Sequence, residues 1–136
     1  MALGQSLINY CILAWGGVCS SFLIALERAQ RGVLKVALNK PMRYSTTALY
    51  KETGVLSVRR LYIMRVAVSV HKSVLISGEH EAMLKKRIFK LPVPARLSTF
   101  SHRFAVFLFP HIYNKLVKIC KFKHCSAKET KIHFCQ

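Results

Sequence analysis

Apolar residues recur at intervals of three and four along much of the chain, and the clearest run lies between residues 21 and 39. The positions that would form its buried stripe are Leu23, Leu26, Val33, Leu34, Ala37 and Leu38. This spacing is typical of an amphipathic helix. Ser20 or Ser21 can cap its start, and Pro41 cannot continue it. The pattern therefore predicts a helix over roughly residues 21–39.

Two further helices are predicted downstream. Ser45 or Thr46 can cap a short helix that closes at Gly54, and Ser57 can cap a longer one over 58–76. The stretch VAVSV inside the longer segment alternates and is β-branched, which is compatible with a strand. Its flanks have helical periodicity, so we predict helix throughout.

The apolar stretch INYCILAWGG, residues 8–17, allows three interpretations: a signal peptide, a membrane anchor or a packed helix. A secretory signal begins with basic residues, and residues 1–7 carry no Lys or Arg. The apolar run from 7 to 18 is shorter than the roughly 20 residues that span a bilayer. We predict an internal helix that ends at the Gly pair, with Tyr10 and Trp15 as packing residues.

The second half of the chain divides into three pieces. EHEAMLKKRIFKL has acids first and bases last, the favourable order for a helix dipole. A Pro-containing linker and an aromatic–basic segment follow, and then a Lys- and Cys-rich tail. We predict segments 1–77, 78–118 and 119–136. The predicted fold is mainly α, an irregular helical bundle fragment of about four to six helices with a poorly ordered C-terminal tail.

The charge balance is strongly basic, with 22 Lys and Arg against 5 acids and a net charge of +17. Such an excess favours polyanionic partners, and nucleic-acid phosphates are the expected ones. The basic residues that lie on or beside predicted helices are Arg28, Arg31, Lys35, Arg59, Arg60, Lys85, Lys86 and Arg87. Arg59 and Arg60 fall in the first turn of a helix, which disfavours cations, so an external anion or a carboxylate from elsewhere is expected there. Glu27 precedes Arg31 by four, a favourable ion-pair order.

The acidic residues argue against catalysis. The chain contains no Asp, whereas two-metal phosphoryl-transfer sites need clustered carboxylates. Glu79 and Glu81 lie close together, but we interpret them as charges at a helix N-terminus. We therefore predict no enzymatic activity, no cofactor and no small-molecule substrate.

The tail concentrates residues that could bind a metal. Its weak zinc candidates are Cys120, Cys125, His133 and Cys135. Structural zinc sites favour two tight ligand pairs, and these gaps do not match that spacing. The five cysteines are an odd number, so we expect free thiols in a reducing compartment, with no metal.

Three segments of the chain, in order, carry a resemblance to a known family. They are INYCILAWGG, then LERAQRGVLKVALNKPMRYSTTALYKETGVLSVRRLYI, then FPHIYNKL. The positions that carry it are Tyr10, Trp15, Gly16, Gln30, Arg31, Arg43, Tyr44, Val55, Leu56, Arg59, Tyr113 and Asn114. Together they resemble the C-terminal part, the thumb and the region after it, of jockey-like non-LTR retrotransposon reverse transcriptases, over roughly residues 7–118.

The resemblance implies a specific origin and role. The family copies RNA into DNA with metal ions held by palm aspartates, and that palm and its motif are absent from this chain. No catalytic residue carries over. The role that can carry over is that of the thumb, which binds the backbone of the template–primer duplex. We infer Arg28, Arg31 and Lys35 as the contacts.

The sequence therefore predicts an inactive remnant of such a polymerase, translated from an internal Met and acting inside the cell, in the nucleus or cytoplasm. Its expected partners are RNA or an RNA–DNA hybrid, and the missing palm, with membrane binding unlikely. The alternative is a cationic membrane-associated or secreted protein that uses residues 1–21 as a signal or anchor. A third possibility is an interaction fragment or an unfolded product.

Overall fold

A computed structural model of the chain describes residues 2–10, 12–77, 90–95, 98 and 104–119. Within these ranges every regular element is an α-helix. The helices are α1 (Ala2–Asn9), α2 (Ile12–Trp15), α3 (Ser20–Ala37), α4 (Thr46–Thr53), α5 (Val58–Ile76) and α6 (Ala105–Ile119). The predicted mainly-α class is confirmed. The helix predicted in EHEAMLKKRIFKL and the tail beyond Ile119 lie almost entirely outside the described residues.

The three central helices begin and end close to their predicted positions. α3 starts one residue early, because Cys19 occupies the N-cap position that the sequence assigned to Ser20 or Ser21. α4 follows Ser45 and stops at Gly54, whose φ of 63° is left-handed and suits a residue without Cβ. α5 follows Ser57 and runs as one helix through VAVSV, which confirms helix over the strand alternative.

The first predicted helix is divided in two. α1 ends at Asn9 and α2 begins at Ile12, and the Trp15 Nε1 donates a 2.8 Å hydrogen bond to the Tyr10 carbonyl at the break. Tyr10 is 76% exposed, so its predicted packing role is wrong, whereas Ile12 is buried. The prediction treated residues 8–15 as one continuous helix. Tyr10 lies between the two helices that form instead.

The chain separates into two compact units, Met1–Tyr62 and Ile63–Gln136, and the boundary falls within α5. The buried apolar residues of the first unit are Ile12, Leu34, Leu49, Val58, Leu61 and Tyr62. In the second unit Val74, Leu91 and Tyr113 form a buried cluster, with Val70 and Val117 packed against it. The three predicted segments are defined by composition and role, and they stay a prediction.

The aromatic–basic segment is helical. α6 passes through Pro110, which has no N–H for the backbone bond of that turn. It nevertheless continues to Ile119 and buries Tyr113 and Asn114, so tertiary packing outweighs the local cost of the proline.

Candidate nucleic-acid interface

The start of α5 is joined to α3 by a carboxylate. Glu27 Oε1 lies 3.4 Å from the backbone N of Arg59 and 3.9 Å from its Nε. The acid thus meets both the unpaired N–H of the first turn and the cation placed there. The sequence left open whether an external anion or a carboxylate of the chain would lie at this turn. At Arg59 it is a carboxylate, that of Glu27. The sequence paired Glu27 with Arg31, and the ion pair seen in the structure is with Arg59.

A buried glutamine reinforces the same junction. Gln30 is 6% exposed; its Nε2 donates to the Leu56 carbonyl at 3.0 Å, and its Oε1 accepts from the Tyr50 hydroxyl at 3.0 Å. Burial raises the pKa of Tyr50, and the nearby Arg31 opposes that rise. Hydrogen bonds at both ends of the amide offset the cost of burying it, and they tie α3 to α4 and to the residues before α5.

The predicted arginines differ in whether they are exposed and free of ion pairs within the described residues. Arg28 on α3 and Arg60 on α5 are exposed, and neither makes an ion pair within the described part of the chain. Each directly follows a residue of the Glu27–Arg59 contact. That contact therefore joins two segments that each present an exposed guanidinium.

The remaining predicted cations are more constrained. Arg31 is half-buried beside Tyr50, and Lys35 Nζ donates to the Met42 carbonyl at 2.5 Å. Lys85, Lys86 and Arg87 lie outside the described residues, as do the weak zinc candidates Cys120, Cys125, His133 and Cys135.

The other described acid is also paired. Glu52 contacts Lys40 Nζ at 2.9 Å and accepts from the Tyr44 hydroxyl at 3.0 Å, while Lys40 Nζ lies 5.0 Å from the centre of the Tyr44 ring. The hydrogen bond with Lys40 lowers the pKa of Glu52 and raises that of Lys40. Both described carboxylates are thus engaged with a cation of this chain. Arg43 is exposed in the loop before α4, and it is not among the predicted contacts.

The second unit contains a buried polar pair that the sequence did not predict. His71 Nδ1 and the Tyr113 hydroxyl are 2.7 Å apart, and both side chains are fully buried. Burial raises the pKa of Tyr113 to about 12. Because both side chains are buried, we interpret the pair as structural.

Next to it, Asn114 holds a segment that has no regular secondary structure. Its Oδ1 accepts from the Leu91 N–H at 2.7 Å, and its Nδ2 donates to the Leu91 carbonyl at 2.9 Å. One side chain thereby satisfies both backbone groups of a residue outside any helix.

Among the described residues, no three His, Cys, Asp or Glu side chains come together as a metal site would require. Nor is any described helix both long enough and apolar enough to cross a bilayer. Comparison with known proteins finds no matching family model, no matching curated protein and no matching solved structure.

Proposed function

We propose that this protein binds nucleic-acid backbones, without sequence preference, through the region where α3 meets the start of α5. One observation carries the proposal: the Glu27–Arg59 contact joins two segments that present Arg28 and Arg60 to solvent, in a chain of net charge +17. Guanidinium groups suit phosphate because their N–H donors form paired hydrogen bonds to it. The expected ligand is RNA or an RNA–DNA hybrid.

The surrounding residues strengthen this assignment. Gln30 bonds α3 to α4 and to Leu56, just before α5, so the segments that carry the two arginines are held in a fixed arrangement. The described acids are already paired, and neither leaves an uncompensated negative charge beside the arginines. Such contacts position a backbone and read no bases.

We further propose that the chain descends from the thumb region of a non-LTR retrotransposon reverse transcriptase. Support comes from where the resembling residues lie. Gly16 packs against Tyr62. Gln30 bonds α3 to Leu56, Arg59 bonds α5 to Glu27 of α3, and Asn114 holds Leu91. Residues that determine how helices join are those a shared fold would retain. On this proposal the protein acts in the nucleus or cytoplasm and does not polymerise.

The binding test is fluorescence anisotropy with a short RNA–DNA hybrid, titrated over a range of salt concentrations. The logarithm of affinity should fall linearly with the logarithm of salt, at a slope of roughly −0.9 per phosphate contacted. Hybrids of unrelated sequence should give the same slope. Binding that is insensitive to salt, or its absence at low salt, would contradict the proposal.

Matched variants locate the interface. Arg28→Gln with Arg60→Gln should reduce the salt slope by about 2, since each removes one phosphate contact. Arg43→Gln with Lys72→Gln removes the same charge from exposed positions elsewhere and should change the slope less. Equal losses would show a diffuse charge effect and no defined interface. A primer-extension assay with Mg²⁺ should show no incorporation, and metal-dependent extension would refute the inactive assignment.

A further inference from the structure

Helix α3 has a second apolar face besides the one that packs in its own unit. We call this face the α3 seam, and it consists of Phe22, Ala25, Ala29, Val33 and Val36. All five residues are exposed, and the large ones are 68%, 64% and 78% exposed at Phe22, Val33 and Val36. Isolated exposed apolar residues are ordinary, but five on one helix face are a surface.

The spacing of the seam matches a helix partner. Steps of three and four repeat from Phe22 to Val36, as in the a and d positions of a coiled coil. At 100° per residue this face is turned about 120° from the buried Gln30 and Leu34. Gly32 extends the seam, and a Cβ built there would meet nothing within 4 Å. The small residues along it would let a second helix approach closely.

The charge beside the seam indicates which kind of partner helix can bind there. Arg28 borders the seam and is exposed. The acid of α3, Glu27, is on the far side and contacts Arg59. A second copy of the chain would bring another Arg28 to the edge of the seam and carries the same net charge of +17. Like charges at coiled-coil edges oppose pairing. An acidic helix would meet complementary charge.

We propose that the α3 seam docks one amphipathic helix of an acidic partner protein, with apolar residues on its contact face and Glu or Asp beside them. The apolar face supplies affinity, and the acidic flank supplies orientation and selectivity. The proposal does not rest on nucleic-acid binding, because Phe22, Val33 and Val36 carry no charge.

The probe is a fluorescent three-heptad peptide with Leu at a and d and Glu at e and g, titrated into the full-length chain. A scrambled peptide of the same composition keeps the charge and removes the apolar face. We expect the patterned peptide to bind at least about tenfold more tightly, the equivalent of one well-buried aliphatic side chain. Equal binding would mean charge attraction alone and would overturn the proposal.

Paired variants test the position of the seam. Val33→Gln with Val36→Gln should weaken the patterned peptide about tenfold, because two apolar contacts become polar. The control is Ile76→Gln with Val106→Gln, at 86% and 64% exposure on other helices, and it should leave binding unchanged. Both pairs should retain the circular dichroism of the parent chain and its affinity for the RNA–DNA hybrid.

Three results would overturn the proposal. One is an equal loss in the two variant pairs. Another is equal affinity for a peptide that has Lys in place of Glu at e and g. The third is a concentration-dependent dimer in analytical ultracentrifugation that the Val33→Gln and Val36→Gln changes abolish, since it would assign the seam to a second copy.

Discussion

Gly16 lies directly against the ring of Tyr62, so closely that a Cβ built on Gly16 would stand 2.5 Å from Tyr62 Cε2. The same Cβ would be 2.5 Å from the Ile12 carbonyl oxygen. There is no room for a side chain at this position, so it requires glycine. Tyr62 is a buried member of the first unit's core, so the glycine sets how closely the turn after α2 can approach that core.

Gly16→Ala should destabilise the protein by about 1–3 kcal/mol, because the new methyl overpacks a filled site. Gly32→Ala is the matched control. Its Cβ would enter open space in the middle of α3, so the change should stabilise the helix by about 0.5–1 kcal/mol. Urea unfolding of both variants measures the difference. Effects of the same sign would contradict the close approach of Gly16 to Tyr62.

The buried hydrogen bond between His71 and Tyr113 should stabilise the second unit. Tyr113→Phe removes the hydroxyl 2.7 Å from His71 Nδ1 and should cost about 1–3 kcal/mol. His71→Phe made in the Tyr113→Phe background should cost less than it does alone, since its partner is already gone. A double-mutant cycle from denaturant unfolding should give a coupling of about 0.5–3 kcal/mol. Additive losses would show that the two side chains do not interact.

Asn114→Ala should release the backbone of Leu91. Both polar groups of that residue lose their partner, so the Leu91 amide should exchange with solvent at least about tenfold faster. The Leu61 amide, bonded to the Ser57 carbonyl at the start of α5, provides the internal control and should keep its rate. Measurement is by hydrogen exchange with NMR. Unchanged protection at Leu91 would refute the contact.

Alkaline conditions should weaken the fold through its buried tyrosines. Burial raises the pKa of both Tyr62 and Tyr113 from 10.0 to about 12. Between these values the unfolded chain loses protons that the folded chain keeps. The contribution of these tyrosines to stability is therefore full below pH 10 and is lost as the pH rises toward 12. Unfolding of Tyr113→Phe should show a shallower decline over this window, and an unchanged decline would exclude Tyr113 as a source.

The sequence predicted those features of the fold that depend on residues close together in the chain. Gly54 ends α4, and Ser57 precedes α5, as predicted, because caps and periodicity act within a few residues. The break between α1 and α2 was missed, since apolar spacing continues across it. Tyr10 was consequently predicted to be a packing residue, and it is exposed.

The sequence named candidate cations for the interface, and their role in binding stays a prediction. Arg28 and Arg60 stand exposed, but nothing in a basic stripe shows which members are already engaged. Lys35 contacts a carbonyl, and Arg59 contacts a glutamate more than thirty residues away. Selecting the available cations required distances between helices.

Local chemistry along the chain thus established a helical protein, its central helix boundaries, a strong positive charge and the lack of Asp. Tertiary structure alone decided that Glu27 pairs with Arg59, that Gln30 joins three segments, and that Gly16 must lack a side chain. The reason is physical. Helix formation is governed by neighbours three or four residues apart, whereas ion pairing and close packing depend on which distant residues the fold brings together.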